Sequence, residues 1–181
     1  DDWLPAAPGT DGALAMAMGH VILKEFYVER QVPYFQDYAR RFTDLPLLVT
    51  LRGRDGAWVP DRFLRASDLE EGDGEDEQAE WKPVLLDART GEPAVPNGSV
   101  GHRYGAPGTW NLKLEGIEPV LTLIDQGGEP VPVDLPRFDV GETEGGEIVR
   151  RGVPAIRIGG RLVTTVLDLA LANYGVGRPG L

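Results

Sequence analysis

Apolar and polar positions divide the chain into stretches of different rhythm. Residues 13–28 (ALAMAMGHVILKEFYV) are rich in Ala, Met and Leu, which favour helix. Leu14, Met18, Val21, Ile22 and Glu25 fall at i, i+4, i+7, i+8 and i+11. This spacing predicts a helix with a mostly apolar stripe. Ala15, Ala17 and Gly19 leave room for another element to approach, and Thr10 and Asp11 stand where an N-cap belongs. Pro33 opens a second predicted helix, PYFQDYARRF, with aromatics at 34, 35, 38 and 42. Leu45 to Leu51 (LPLLVTL) is nearly all apolar and predicts a strand buried on both faces, as in a parallel sheet. The order helix, short helix, buried strand is an α/β pattern. A single such strand is no stable sheet, so its partners are expected from outside this stretch.

The middle reads as β. The turn Arg52-Gly53-Arg54-Asp55-Gly56 carries an Asp-Gly hairpin signal and is expected to fold LLVTLR back on AWVPDRFLRA. WKPVLLDA and PAVPNGSVG, joined by Arg89-Thr90-Gly91-Glu92, form a second expected hairpin. VLTLID and VPAIRI are expected strands, with Gly-Gly breaks at 127–128, 145–146 and 159–160. Thr165 to Tyr174 (TVLDLALANY) returns to helical composition, with Gly175 as its stop. The fold class expected is therefore α/β with a β-rich insertion. Residues 1–51 form the α/β piece, 52–161 the insertion, and 162–181 the returning helix.

Composition changes this picture in a few places. The chain of 181 residues has 18 basic and 29 acidic side chains, a net charge of −11. Such a balance excludes nucleic acid as an expected partner, because gripping phosphates takes a basic face. Eight of the acids fall within residues 68–80 (DLEEGDGEDEQAE) without one base, which predicts a solvated loop. Outside that loop the two flanking parts carry net charges of only −1 and −2. Cysteine is absent and only His20 and His102 are present, so no thiol nucleophile, Cys-ligated cluster or multi-histidine metal site is expected. No apolar run approaches the roughly 20 residues that span a bilayer, and the piece is expected to be soluble. The start Asp1-Asp2-Trp3, without methionine, points to a segment of something longer.

Pro8-Gly9-Thr10-Asp11, directly before the first helix, is the most informative local motif. A glycine turn lets backbone approach a ligand, and the first N–H groups of a helix are unpaired. That suits a phosphate or pyrophosphate, with Asp11 accepting from hydroxyls or base N–H groups. The same four residues also suit an ordinary N-cap that binds nothing. Neither a G-x-G-x-x-G nor a Walker loop is present, and the acidic DGEDE run lacks the spacing of an EF-hand. His20 reads as a packed or hydrogen-bonded structural residue, and His102 as a loop residue. Trp3, Trp58, Trp81 and Trp110 are expected to close small β clusters. No complete catalytic site is legible, which leaves a non-catalytic binding or scaffold domain as an alternative.

The run Pro8-Gly9-Thr10-Asp11-Gly12-Ala13-Leu14, continued by Ala17-Met18-Gly19-His20-Val21, resembles a segment of the molybdopterin oxidoreductases. Residues 34–49 (YFQDYARRFTDLPLLV) resemble one branch in particular, the respiratory nitrate reductase alpha subunits. Phe63–Leu69, Asn97–Gly101, Trp110–Leu112, Leu162–Leu169 and Leu171–Gly175 are similar to that branch as well, so the likeness runs from end to end. It implies an internal fragment of a catalytic subunit that reduces nitrate to nitrite at a molybdenum bis-(molybdopterin guanine dinucleotide) centre. Selenate, chlorate or perchlorate reductases remain alternatives. The fold implied is part of a guanine-dinucleotide-binding α/β domain, with Gly9, Thr10 and Asp11 as its cofactor-lining residues. No catalytic residue and no metal ligand is carried over. The molybdenum-ligating aspartate and the ligands of a 4Fe-4S cluster are implied to lie outside these residues. The implied partners are the rest of the alpha subunit, an iron–sulfur beta subunit and a haem b gamma subunit, at the cytoplasmic face of the cell membrane. The approach Leu4-Pro5-Ala6-Ala7 lacks the basic residue of some family versions, which removes a direct charge contact to a pyrophosphate.

Overall fold

The computed structural model describes residues 5–69, 79–98, 112–135 and 148–178. Its N-terminal arm begins with α1 (Asp11–Ile22) and runs on into a π-helical segment, Leu23–Glu29. The wider winding shows in the i to i+5 hydrogen bond from Arg30 N–H to the Glu25 carbonyl, 3.1 Å. After a break at Gln31, α2 (Pro33–Phe42) opens with proline in its first turn. Both expected helices are thus present, but the expected apolar stripe is not where the packing lies. Leu14, Met18, Val21 and Ile22 are exposed, and α1 has no buried residue. The arm is held through Leu23 and Tyr27, whose ring meets Phe35 of α2 at 6.1 Å between centroids. Phe35 and Ala39 face inward from α2, while Tyr34, Tyr38 and Phe42 face out.

Five strands close a barrel: β1 (Leu48–Arg54), β2 (Ala57–Phe63), β7 (Glu129–Leu135), β8 (Val149–Ile158) and β9 (Arg161–Thr165), in that order and back to β1. The intervening strands are short: β3 (Leu85–Leu86) pairs with β4 (Pro93–Ala94), and β5 (Asn97–Gly98) with β6 (Leu112–Lys113). The Asp-Gly hairpin is present as expected. Asp55 and Gly56 have φ of 46° and 78°, the pair of positive values a type I′ turn demands. The expected parallel strand, however, is antiparallel on both sides. β1 pairs with β2 and with β9, and the barrel's parallel contact is β2 against β7 at Trp58 and Val133. Its partners therefore come from within the chain. The all-apolar run has a different cause: the first half of β1 is buried on both faces. Leu48 and Val163 join one core cluster with Leu64, Val84 and Leu123, while Leu51 and Leu162 join another with Val133 and Val153. Double-sided burial removes the alternation of a half-exposed antiparallel strand.

The 89–92 turn closes a hairpin as expected, although each strand is two residues long. VLTLID is not a strand. Leu123–Gln126 forms a 3-10 turn, because Thr122 Oγ1 accepts from Ile124 N–H, the buried Asp168 takes Leu123 N–H at 2.9 Å, and Gly127 ends the turn at φ 74°. VPAIRI lies in β8 as expected. The returning helix is α3 (Val166–Asn173), capped by Thr165 and followed by Gly175 at φ 67°. The acidic run begins in ordered structure: Asp68 is paired with Arg62 and Arg161. Residues 70–78, the rest of the expected solvated loop apart from its two ends, lie outside the described residues, as do Trp3, His102 and Trp110. Trp58 packs on the Leu51 and Val133 cluster, whereas Trp81 closes no β cluster and stands 68% exposed.

Candidate functional site

Pro8 and Gly9 occupy the centre of a turn closed by Thr10 N–H to the Ala7 carbonyl, 3.0 Å. Gly9 has φ 82°, the value that position i+2 of a type II turn requires, and proline before it presets the turn. Thr10 is the N-cap residue, yet its hydroxyl donates backward to the Ala7 carbonyl at 2.7 Å and accepts no helix N–H. The first helical bond is Leu14 N–H to Thr10 C=O, 3.0 Å. The N–H groups of Asp11, Gly12 and Ala13 consequently have no acceptor among the described residues. A Cβ built at Gly9 or Gly12 meets nothing within 4 Å among the described residues, so the turn is open on that side. Three outward donors at the positive end of a helix suit an anion. The exposed Asp11 carboxylate opposes a phosphate beside it and suits a hydroxyl or base N–H instead.

His20, at the far end of α1, does what was expected of a structural histidine. Its Nδ1 lies 2.8 Å from the Tyr174 carbonyl oxygen. Because a carbonyl only accepts, Nδ1 carries the proton in this contact. Gly19 permits the approach, since a Cβ there would overlap the Tyr174 ring.

Sequence reasoning missed the polar centre of the fold. Asp168 is fully buried in α3, accepts from Thr122 Oγ1 (2.8 Å), Leu123 N–H (2.9 Å) and Arg178 Nη1 (2.7 Å), and thereby joins three segments. Burial raises its carboxyl above the ordinary range, and the Arg178 guanidinium beside it pulls the other way. Arg178 also donates to Thr122 Oγ1 at 3.0 Å. Tyr27, over the same centre, has its phenol pushed up by burial and then by the Asp168 charge. A signal was available: Thr165-Val166-Leu167-Asp168 is the S/T-x-x-D/E pattern of a helix start, and Asp168 N–H does donate to Thr165 Oγ1 at 3.0 Å.

Among the described residues the fold has two sizeable clefts, the smaller of which borders this centre. One, about 460 Å³, is lined by Tyr27, Gln31, Gln36, Arg40, Asp125 and Arg178. The other, about 990 Å³, runs between the end of α2 and the β1–β2 hairpin and is lined by Phe42, Phe63, Trp81, Arg65 and Asp44 among others. Neither contains Gly9, Thr10 or Asp11. Among the described residues no group of three or more His, Asp and Glu is placed to hold a metal ion, and no helix is long and apolar enough to cross a membrane.

Comparison with known proteins decides the family. The nitrate reductase alpha subunit of Mycobacterium tuberculosis (strain ATCC 25618 / H37Rv) is 50% identical over 188 aligned residues, covering 100% of this chain. The chain belongs to the nitrate reductase alpha-subunit family. It spans only 15% of that relative's length, and so corresponds to a segment of it. The nitrate reductase alpha chain of Bacillus subtilis (strain 168) is 42% identical over 98% of the chain, again 15% of the relative. A perchlorate reductase alpha subunit from Dechloromonas aromatica (strain RCB) matches more weakly, 39% identical over 56% of the chain. No protein-family model matches the sequence. Matches over 98–100% of this chain, against 56% for the perchlorate reductase subunit, favour the nitrate reductase family.

Proposed function

We propose that these residues form part of an alpha subunit that reduces nitrate to nitrite, within a guanine-dinucleotide-binding α/β domain carrying the residue 52–161 insertion. The observation that carries this reading is the 50% identity over the whole chain to a nitrate reductase alpha subunit. A molybdenum bis-(molybdopterin guanine dinucleotide) cofactor would supply the two-electron oxygen-atom chemistry. This segment's share is to bind: Gly9 admits backbone close to the ligand, the Asp11, Gly12 and Ala13 N–H groups donate to a phosphate, and Asp11 receives guanosine. The open turn and its three free donors support the assignment. Thr10 holds the turn through its bond to Ala7 rather than through the ligand. The 4Fe-4S ligands, the molybdenum ligand and the beta and gamma subunits belong to the remainder of the complex, at the cytoplasmic face of the membrane.

The test is the complete subunit produced with its partner subunits and assayed by nitrate-dependent oxidation of a reduced viologen dye. Nitrate turnover is expected; turnover of perchlorate or chlorate with none of nitrate would overturn the reading. Gly9→Val is expected to lower bound molybdenum and releasable guanine nucleotide together, because φ 82° is closed to a β-branched residue. Unchanged guanine nucleotide in both Gly9→Val and Asp11→Ala would remove these residues from the site.

A further inference from the structure

The anomaly is α1. A helix with apolar residues all round belongs in a core, and Ala13 through Gly19 is apolar or glycine at every position. Yet Leu14 is 50% exposed, Met16 41% and Met18 55%, and no residue of the helix is buried. Met16 and Met18 lie on nearly opposite sides of the helix, so a single face against one neighbour does not account for both. The attachment is at the far end, where Gly19 and His20 meet Tyr174.

We infer that α1 is an interior helix of the whole alpha subunit, enclosed on all sides by the remainder of the same polypeptide. The inference rests on the family reading above. Three observations choose this occupant. No helix of the described residues is long and apolar enough to cross a bilayer, and the continuation of α1 carries Lys24, Glu25 and Glu29. Residues 70–78 hold six acids and no apolar side chain to match α1. The chain spans 15% of its relatives, which leaves most of the polypeptide to supply that surface. Enclosure at α1 would also bring other parts of the subunit to the Pro8–Asp11 turn at its start, closing the open side of the proposed cofactor site.

The experiment uses the complete alpha subunit purified without its partner subunits, carrying Met16→Cys or Met18→Cys. Maleimide labelling at each position is followed by peptide mass spectrometry in native buffer and in urea. Labelling of both cysteines is expected to be about 100-fold slower in the native subunit than in urea. Labelling of either one at close to its urea rate would overturn the inference. So would protection that arises only when the partner subunits are added, since they would then be the occupant. Amide exchange across Ala15–Val21 of the unsubstituted subunit guards against misfolding of the variants, with slow exchange expected and fast exchange overturning. Labelling and exchange are independent of which oxyanion the enzyme turns over, so failure here and failure of the nitrate reading are separable.

Discussion

In the barrel, apolar side chains such as Leu48, Val133, Val153 and Val163 have no accessible surface, and even Thr164 and Thr165 are fully enclosed. In α1, a more apolar sequence has no buried residue. The difference lies in where the partners come from. Every barrel strand finds its neighbours within these residues, closing the sheet without free edges. Among the described residues the arm is held along Leu23, Tyr27, Phe35 and Ala39 and where Gly19 and His20 meet Tyr174, while most of α1 stays uncovered. Burial inside a segment therefore separates what the segment can complete by itself from what it presents to a larger protein.

The largest expected effect comes from breaking the polar centre of the barrel side. Arg178→Met leaves the Asp168 carboxylate enclosed without its cation, and losing one partner of a buried pair costs about 3–5 kcal/mol. Amide exchange in β9 and α3 of the full subunit is expected to speed up accordingly. Asp168→Asn with Arg178→Met should recover much of the loss, because the neutral amide no longer needs a cation. If the single variant exchanges like the parent, the barrel is held by its apolar clusters alone.

The comparison is sharpened by releasing the arm selectively. Gly19→Val forces the Tyr174 ring to move and weakens the His20 contact, an overpacking cost of about 1–3 kcal/mol. Faster exchange is expected through α1 with the β1–β9 pairing unchanged; equal loosening of both regions would show that they are one cooperative unit.

Asp68 offers a smaller, pH-dependent handle. Two hydrogen bonds from Arg62, at 2.6 and 2.8 Å, and the Arg161 charge hold its carboxyl down, from 3.8 to about 2. A group bound less strongly by protons in the folded state stabilises above its unfolded value. That contribution is therefore present above pH 3.8 and lost as pH falls toward 2. Asp68→Asn should cost about 1–2 kcal/mol at neutral pH, with the arginines' solvent exposure limiting the loss, and should flatten the acid limb of a stability–pH curve. An acid limb identical to the parent's would exclude Asp68 from it.

These effects also mark what the sequence could and could not reveal. The Asp55-Gly56 turn and the Gly175 stop were legible because each rests on one or two residues with a backbone requirement. The barrel was not, because LPLLVTL reports only that both faces are covered, and a parallel sheet and a closed barrel cover both. The 3-10 turn at Leu123 was illegible for a related reason: Asp168, 45 residues away, takes its N–H. At the proposed site, Gly9 and Asp11 were legible as chemistry, while the backward hydrogen bond of Thr10 depends on local geometry that its residue type leaves open.

The smallest predicted effect tests the join between the two regions. Gly175 follows α3 at φ 67°, and its N–H donates to the Ala172 carbonyl at 3.1 Å while Val176 N–H donates to Leu171 at 2.9 Å. No described residue lies within 4 Å of a Cβ at this position, so the cost of Gly175→Ala is that of the left-handed backbone. That penalty is about 1 kcal/mol, and asparagine, which tolerates the conformation, should lose less. The turn carries Val176 back into the Leu171 cluster and Arg178 to Asp168, and it follows the Tyr174 carbonyl that receives His20. Gly175→Ala should therefore raise exchange in α1 and at Asp168 N–H together, each only slightly. A change confined to one side would show that the arm and the polar centre are anchored independently, despite meeting at adjacent residues.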